Sequence, residues 1–196
     1  MPATVRGKQF DVTIERTVSA DSLEWPSAEE LESETLGGNR SYSEVENEGW
    51  NEVAQFIEEE SGIIESLYAS EDVEAAHEAW MEDDFDDPAL YGFDLGTNAL
   101  TAALVAARCL PFYGCNGGAF GGAHNDAHPI VAFFCRNEIF PFIDAAAQRS
   151  NAGLEHNHAG GISVFGRDVD TLMLMASSLY DLRSEIDAVR IAARGD

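Results

Sequence analysis

The chain has 196 residues, of which 36 are acidic and 11 are lysine or arginine, and its formal net charge is −25. Hydrophobic residues make up 45% of it, too many for a disordered chain, and the length is sufficient for one well-buried core. Lys8 is the single lysine. Because phosphate binding needs basic side chains that displace counterions, we do not expect direct binding to nucleic acid.

The negative charge is concentrated in one third of the sequence. Residues 21–90 contain 23 acidic residues and one basic residue, Arg40, whereas residues 91–196 contain 11 acidic residues and seven arginines. Adaptation to a salt-rich host is the alternative explanation, and it predicts an acidic surface throughout. The local excess therefore favours a function carried by one surface.

The sequence also predicts where the protein resides. No apolar run approaches the roughly 18 residues of a membrane helix, and no basic flank precedes an apolar stretch near the first residue. Three cysteines, Cys109, Cys115 and Cys135, match no disulfide framework or zinc-finger spacing. We predict a cytoplasmic protein without membrane contact.

The first predicted elements are a strand and acidic helices. Residues 8–16 alternate between apolar and polar side chains, as in a half-buried strand. Ser27 and Glu30 have the spacing of a capping box at the start of a short helix. Helical spacing of apolar residues follows from Trp50 and again after Ser70, which predicts amphipathic helices with carboxylates facing water.

The second half predicts a sheet with helices. The elements expected, in chain order, are a helix over 97–109, a short strand at 112–113, a central strand over 130–135, a helix over 139–150, a hairpin around Gly160 and Gly161, and a long helix after Asp168. The fold class predicted is α+β, a mostly antiparallel sheet covered by helices. Residues 1–90 form the strand and acidic helical region and residues 91–196 the α+β core, together in one compact domain.

A glycine-rich stretch from Cys115 to Pro129 is the densest group of chemically interesting residues. Glycine lets backbone amides approach a ligand closely, but the stretch lacks the lysine of a phosphate loop, so a plain connection between strands is the competing interpretation. Cys115 is expected to be exposed at the head of this turn. Beside His124 as a base, it is the candidate catalytic nucleophile.

Four of the five histidines fall into two clusters. His156 and His158 are two residues apart on a predicted strand, so their side chains point to the same side and can bind one metal ion. A loop residue among His124, Asp126 and His128 would complete the ligand set, and zinc is the metal expected from these donors. The competing interpretation is that all four are loop histidines without a common site.

Two functional hypotheses and a third, plainer one follow. The first is an inhibitor or immunity-type protein that docks its acidic helical face on a basic protein partner. The residues predicted for that face are Glu58, Glu59, Glu60, Glu65, Glu71 and Glu74. The second is a small cysteine/histidine- or zinc-dependent hydrolase centred on Cys115 to His128 and on His156 and His158. The third is a homo-oligomeric structural subunit that uses the long C-terminal helix.

Overall fold

The computed structural model describes residues 7–32, 49–84, 94–158 and 160–192. The described helices are α1 (Ala28–Glu32), α2 (Trp50–Tyr68), α3 (Val73–Asp84), α4 (Asn98–Ala106), α5 (Phe140–Ser150), α6 (Val169–Asp181) and α7 (Arg183–Ala192). The strands are β1 (Leu110–Cys115), β2 (Ile130–Phe134), β3 (Gly153–His156) and β4 (Ile162–Phe165). The predicted boundary between residues 90 and 91 lies outside the described ranges.

The four strands form one antiparallel sheet in the order β1-β2-β4-β3. The predicted α+β class is therefore confirmed. Strand β2 lies in the interior of the sheet, and all five of its residues are buried. Its uninterrupted apolar sequence is explained by burial of both faces of the sheet. A strand with one solvent-exposed face would alternate between apolar and polar side chains.

The two faces of the sheet are covered differently. Val131 and Phe133 of β2 belong to the main hydrophobic cluster, which they share with residues of α2, α4, α5 and α6. The opposite face carries Ile130, Ala132 and Phe134. There the N-terminal segment supplies the cover, through partly buried side chains that include Val12, Ile14 and Trp25.

The N-terminal segment is extended, but the strand predicted over residues 8–16 is not a strand of the sheet. Its apolar and polar side chains alternate between half-buried and exposed, as predicted. Its contact with the ladder is a single parallel bridge between Arg16 and Leu154, where the Leu154 N–H donates to Glu15 O at 2.8 Å. Strand β3 is only four residues long, so it offers few backbone groups for this segment to pair with. Closer to the N-terminus, the Phe10 N–H donates to Arg167 O instead.

The predicted long C-terminal helix is divided in two at Leu182. Asp168 caps the first part as predicted, since its Oδ1 accepts the Thr171 N–H at 2.8 Å. Near the break, the hydroxyls of Ser177 and Ser178 donate to backbone carbonyls four residues earlier, and the Arg183 guanidinium donates to Tyr180 O at 2.7 Å. Of these three carbonyls only Tyr180 O belongs to the last turn of α6, and its bond to Arg183 favours an interruption there.

The acidic helices are amphipathic. Val53, Phe56, Ile64 and Leu67 of α2 are buried in the main cluster, while Glu58, Glu59 and Glu65 are among its exposed positions. Within the described ranges, no helix combines the length and the apolar character needed to cross a bilayer.

Candidate metal and cysteine–histidine site

Strand β1 ends at Cys115, and a tight glycine turn follows it. Buried Asn116 holds this turn, because its Nδ2 donates to Leu95 O at 3.2 Å and its Oδ1 accepts the Gly118 N–H at 2.9 Å. Gly117 has φ +66°, and a Cβ there would lie 2.5 Å from the backbone of His128. Only glycine therefore fits, and the turn folds closely against the chain that enters β2.

Cys115 is buried, with 4% of its surface exposed, so the expectation of an exposed thiol is wrong. Its side chain lies on the sheet face that the N-terminal segment covers, in a cluster with Ile130 and Phe165. The covering segment is distant in sequence, which is why the glycine-rich neighbourhood suggested exposure. The Cys115 Sγ nevertheless lies 3.7 Å from His124 Nδ1, so the structure brings the two predicted catalytic residues into contact.

Asp94 is a third member of this group that the sequence analysis missed. Its Oδ2 lies 3.3 Å from His124 Nδ1 and accepts the Asn116 N–H at 3.2 Å. Asp94 precedes Cys115 by 21 residues and α4 lies between them, so no local motif connects the two. Only the packing of α4 against β1 brings them together.

The donor atoms of Asp94, Cys115 and His124 all lie within 4.8 Å of one another. Within the described part of the chain, this is the one group of three or more potential metal-ligating side chains whose donors converge so closely. The other ring nitrogen, His124 Nε2, lies 3.2 Å from Gly121 O. A carbonyl oxygen only accepts, so Nε2 carries a hydrogen, and in a neutral ring Nδ1 presents its lone pair to Asp94 and Cys115.

The remaining residues of the predicted metal site lie elsewhere, and the structure does not bring them together with His124. Asp126, His156 and His158 line an open cleft of about 390 Å³. There Asp126 accepts the hydroxyl of Tyr113, and His156 Nε2 lies 2.9 Å from Ser22 Oγ.

His128, the last of these residues, packs against an aromatic ring instead. Its ring centroid lies 5.4 Å from that of Phe165, in an edge-on arrangement. No three of the predicted ligands His124, Asp126, His128, His156 and His158, all within the described ranges, bring their donor atoms within 4.8 Å of one another.

Helix α3 packs on the glycine-rich loop from outside. The Glu74 Oε1 accepts the Gly122 N–H at 3.0 Å, and the ring of His77 lies 5.3 Å from that of Phe120. Burial lowers the pKa of His77, and the nearby His124 lowers it further. The loop is thus held between α3 and the sheet.

The predicted acidic face needs one correction. The glutamates at positions 58, 59, 65, 71 and 74 are exposed, whereas Glu60 is completely buried. Glu60 lies on the apolar stripe of α2, four residues from both Phe56 and Ile64. That spacing is a sequence signal that could have separated Glu60 from its neighbours.

Buried Glu60 binds the N-terminus of α4. Its Oε1 accepts the N–H groups of Gly96 at 2.6 Å and Asn98 at 3.1 Å, and Asn98 Nδ2 at 2.8 Å. Its Oε2 accepts the Ala99 N–H at 2.8 Å. Burial raises the pKa of Glu60, and these hydrogen bonds oppose the rise. The side chain therefore acts as a cap that joins α2 to α4, not as a binding surface.

No family model matches the chain, and neither the comparison with curated proteins nor that with solved structures found a match.

Proposed function

We propose that the protein is an interaction protein that docks the exposed carboxylates of α2, of α3 and of the turn between them on a basic protein partner. The observation that carries the proposal is the composition of this surface. Its predicted contact residues, now without Glu60, are Glu58, Glu59, Glu65, Glu71 and Glu74. Between Arg40 and Arg108 the sequence contains no lysine or arginine, so no basic side chain in either helix neutralises them.

Packing does not account for these carboxylates, except that Glu74 also accepts the Gly122 N–H. The apolar stripe of α2 and partly buried residues of α3 join the main hydrophobic cluster, while the outward positions remain in water. Clustered like charges repel one another and lower the stability of the folded state. A basic partner would relieve this repulsion on binding.

The charge distribution also suggests the class of partner. A protein that acts on nucleic acid presents a basic groove to phosphates, and a row of carboxylates can occupy that groove in their place. Long-range attraction would then accelerate encounter, with an association rate that falls as salt is added. An inhibitor or immunity-type role fits both features.

Octaarginine, a minimal basic probe, tests the location of the binding surface by calorimetry at low salt. The test variant replaces Glu58, Glu59, Glu65 and Glu71 with glutamine. The control replaces the exposed acids Glu138, Glu155, Asp181 and Glu185 with their amides, and so removes the same charge from the other half. At a few tenths of a kcal/mol for each exposed pair, the test variant should bind about 5–30-fold more weakly, with a much smaller loss in the control.

Equal losses in the two variants would show that only net charge matters, and would overturn the proposal of a dedicated face. Circular dichroism of both variants verifies that they are folded. All eight positions are exposed, so their substitution should leave the core intact.

A hydrolase is the second candidate, favoured by the contact between Cys115 and His124. A nucleophile, base and orienting acid arranged as a relay would use both ring nitrogens. Here Cys115 and Asp94 face the same Nδ1, and Nε2 is occupied by Gly121 O. The arrangement therefore supports the zinc-dependent form, which predicts zinc-stimulated hydrolysis of activated esters or phosphates by the native protein and none by Asp94→Asn.

A further inference from the structure

The structure assigns a zinc site to Asp94 Oδ2, Cys115 Sγ and His124 Nδ1, with the fourth coordination position open to water. The assignment names the metal and ligands for the second candidate function, on which it builds. Its test measures binding alone, so the site stands or falls separately from any hydrolysis. The outcome of this test is also independent of the proposed function of the acidic face.

Two of the three distances between the ligand atoms match the edges of one tetrahedron. Zinc lies about 2.3 Å from a thiolate and about 2.0–2.1 Å from nitrogen or oxygen, which places sulfur and nitrogen about 3.6 Å apart and nitrogen and oxygen about 3.3 Å apart. The observed separations are 3.7 Å for Sγ and Nδ1 and 3.3 Å for Oδ2 and Nδ1. The third pair, Cys115 Sγ and the Asp94 carboxylate oxygen, lies within 4.8 Å, so a small side-chain adjustment would let one ion contact all three donors.

The hydrogen bonds around the site prepare each donor for a cation. Gly121 O fixes the hydrogen of His124 on Nε2 and leaves Nδ1 free to coordinate. The Gly117 N–H donates to Cys115 Sγ at 3.4 Å, and the Asn116 N–H donates to Asp94 Oδ2 at 3.2 Å. Hydrogen bonds of this kind hold metal ligands in place and stabilise a thiolate.

Without a metal ion, the protons of the His124 ring and the Cys115 thiol can satisfy these three groups only in pairs. A single proton on Nδ1 can serve only one neighbour at a time, as in an ion pair between His124 and Asp94. Zinc satisfies all three donors at once: the Cys115 thiol gives its proton to solvent, and lone pairs of sulfur, nitrogen and oxygen fill three coordination positions. This mixed set of sulfur, nitrogen and oxygen donors suits zinc better than magnesium or calcium.

Access to the ion is provided on one side. Cys115 is buried, the His124 side chain is 19% exposed and the Asp94 side chain is 38% exposed. The ion would thus be shielded behind the thiolate and reach solvent beside the carboxylate. Three protein ligands with one open position are the arrangement of catalytic zinc sites, whereas structural sites have four protein ligands.

The test is titration of the full chain, purified without a histidine tag and stripped with a chelator, with zinc and then with cobalt(II). We expect one zinc ion per chain, and for cobalt an intense thiolate-to-metal charge-transfer band with tetrahedral ligand-field bands. Cys115→Ser should abolish the charge-transfer band. His124→Gln removes a direct ligand. It should therefore weaken zinc binding by more than the roughly 10–100-fold that loss of an outer-shell partner costs.

His128→Gln in the same loop and His156→Gln in the other cluster are the matched controls, and both should bind zinc as the native protein does. Asp94→Asn covers the case in which the buried Cys115→Ser variant fails to fold, because residue 94 is partly exposed; it should weaken zinc binding and keep the cobalt thiolate band. Absence of zinc binding at micromolar concentrations would overturn the assignment. So would zinc binding that survives His124→Gln but is lost in His156→Gln.

Discussion

Carboxylates have different environments in two regions of the molecule, helices α2 and α3 and the sheet region from residue 94 onward. On the helices, exposed glutamates such as Glu58 and Glu59 face water without a basic neighbour in their own segment. In the sheet region, Asp94 is held against His124 and Cys115 by the fold. Glu60, one residue beyond Glu59, belongs to α2 by sequence but binds the N-terminus of α4. The role of a carboxylate in this protein therefore depends on its burial and its neighbours.

Glu60 and its exposed neighbour Glu59 should differ most in their contribution to the free energy of unfolding, which separate substitutions can measure. Glu60→Gln puts an amide group where four N–H donors converge, and we expect a loss of about 2–4 kcal/mol in the free energy of unfolding. Glu59→Gln is the matched control and should change it by no more than about 0.5 kcal/mol. Urea denaturation measures both variants. Similar values for the two would contradict the capping role of Glu60.

Substitution of a glycine by alanine should have opposite effects on stability in the glycine-rich loop and in the acidic helix α2. Gly117→Ala should cost about 1–3 kcal/mol of stability, because position 117 has a positive φ and its new methyl group meets the His128 backbone. A methyl group added at Gly62 of α2 would meet no described atom within 4 Å, so Gly62→Ala should stabilise the protein by about 0.5–1 kcal/mol. Thermal unfolding of both variants tests the opposite signs; a tolerated alanine at position 117 would mean that the turn is not packed as described.

The smallest expected effect is a difference in alkylation rate among the three cysteines. All three are buried, but Cys115 contacts the partly exposed ring of His124, which can accept its proton, whereas burial and the neighbouring Cys135 raise the pKa of Cys109. Brief treatment of the metal-free protein with iodoacetamide should therefore modify Cys115 before Cys109 and Cys135, and added zinc should protect it. Peptide mapping reports each site. Equal protection of all three without zinc would exclude an accessible thiol at this position.

Local patterns in the sequence predicted much of the fold. The apolar run of β2, the hairpin of β3 and β4, the Asp168 cap and the amphipathic α2 are all encoded by neighbouring residues, and the structure contains each of them. The pairing of residues 8–16 was not predictable in this way, because it depends on how short the edge strand β3 is.

The candidate site was only half predictable. Cys115 and His124 stand nine residues apart in a glycine-rich stretch, so their contact could be anticipated. Asp94 enters through the packing of α4 on β1, which no spacing reveals. Burial of Cys115 likewise depends on the N-terminal segment, far away in the sequence, that covers its face of the sheet.

If the acidic face serves to bind a basic partner, and is not an adaptation to a salty solvent, the stability of the isolated protein as a function of salt should show it most directly. We predict a protein that is folded at low salt, with a melting temperature that rises modestly and levels off by about 0.5 M salt as repulsion among the exposed glutamates is screened. A protein that is unfolded at low salt and continues to gain stability into molar potassium chloride would contradict the claim, since its acidity would then be an adaptation to its solvent.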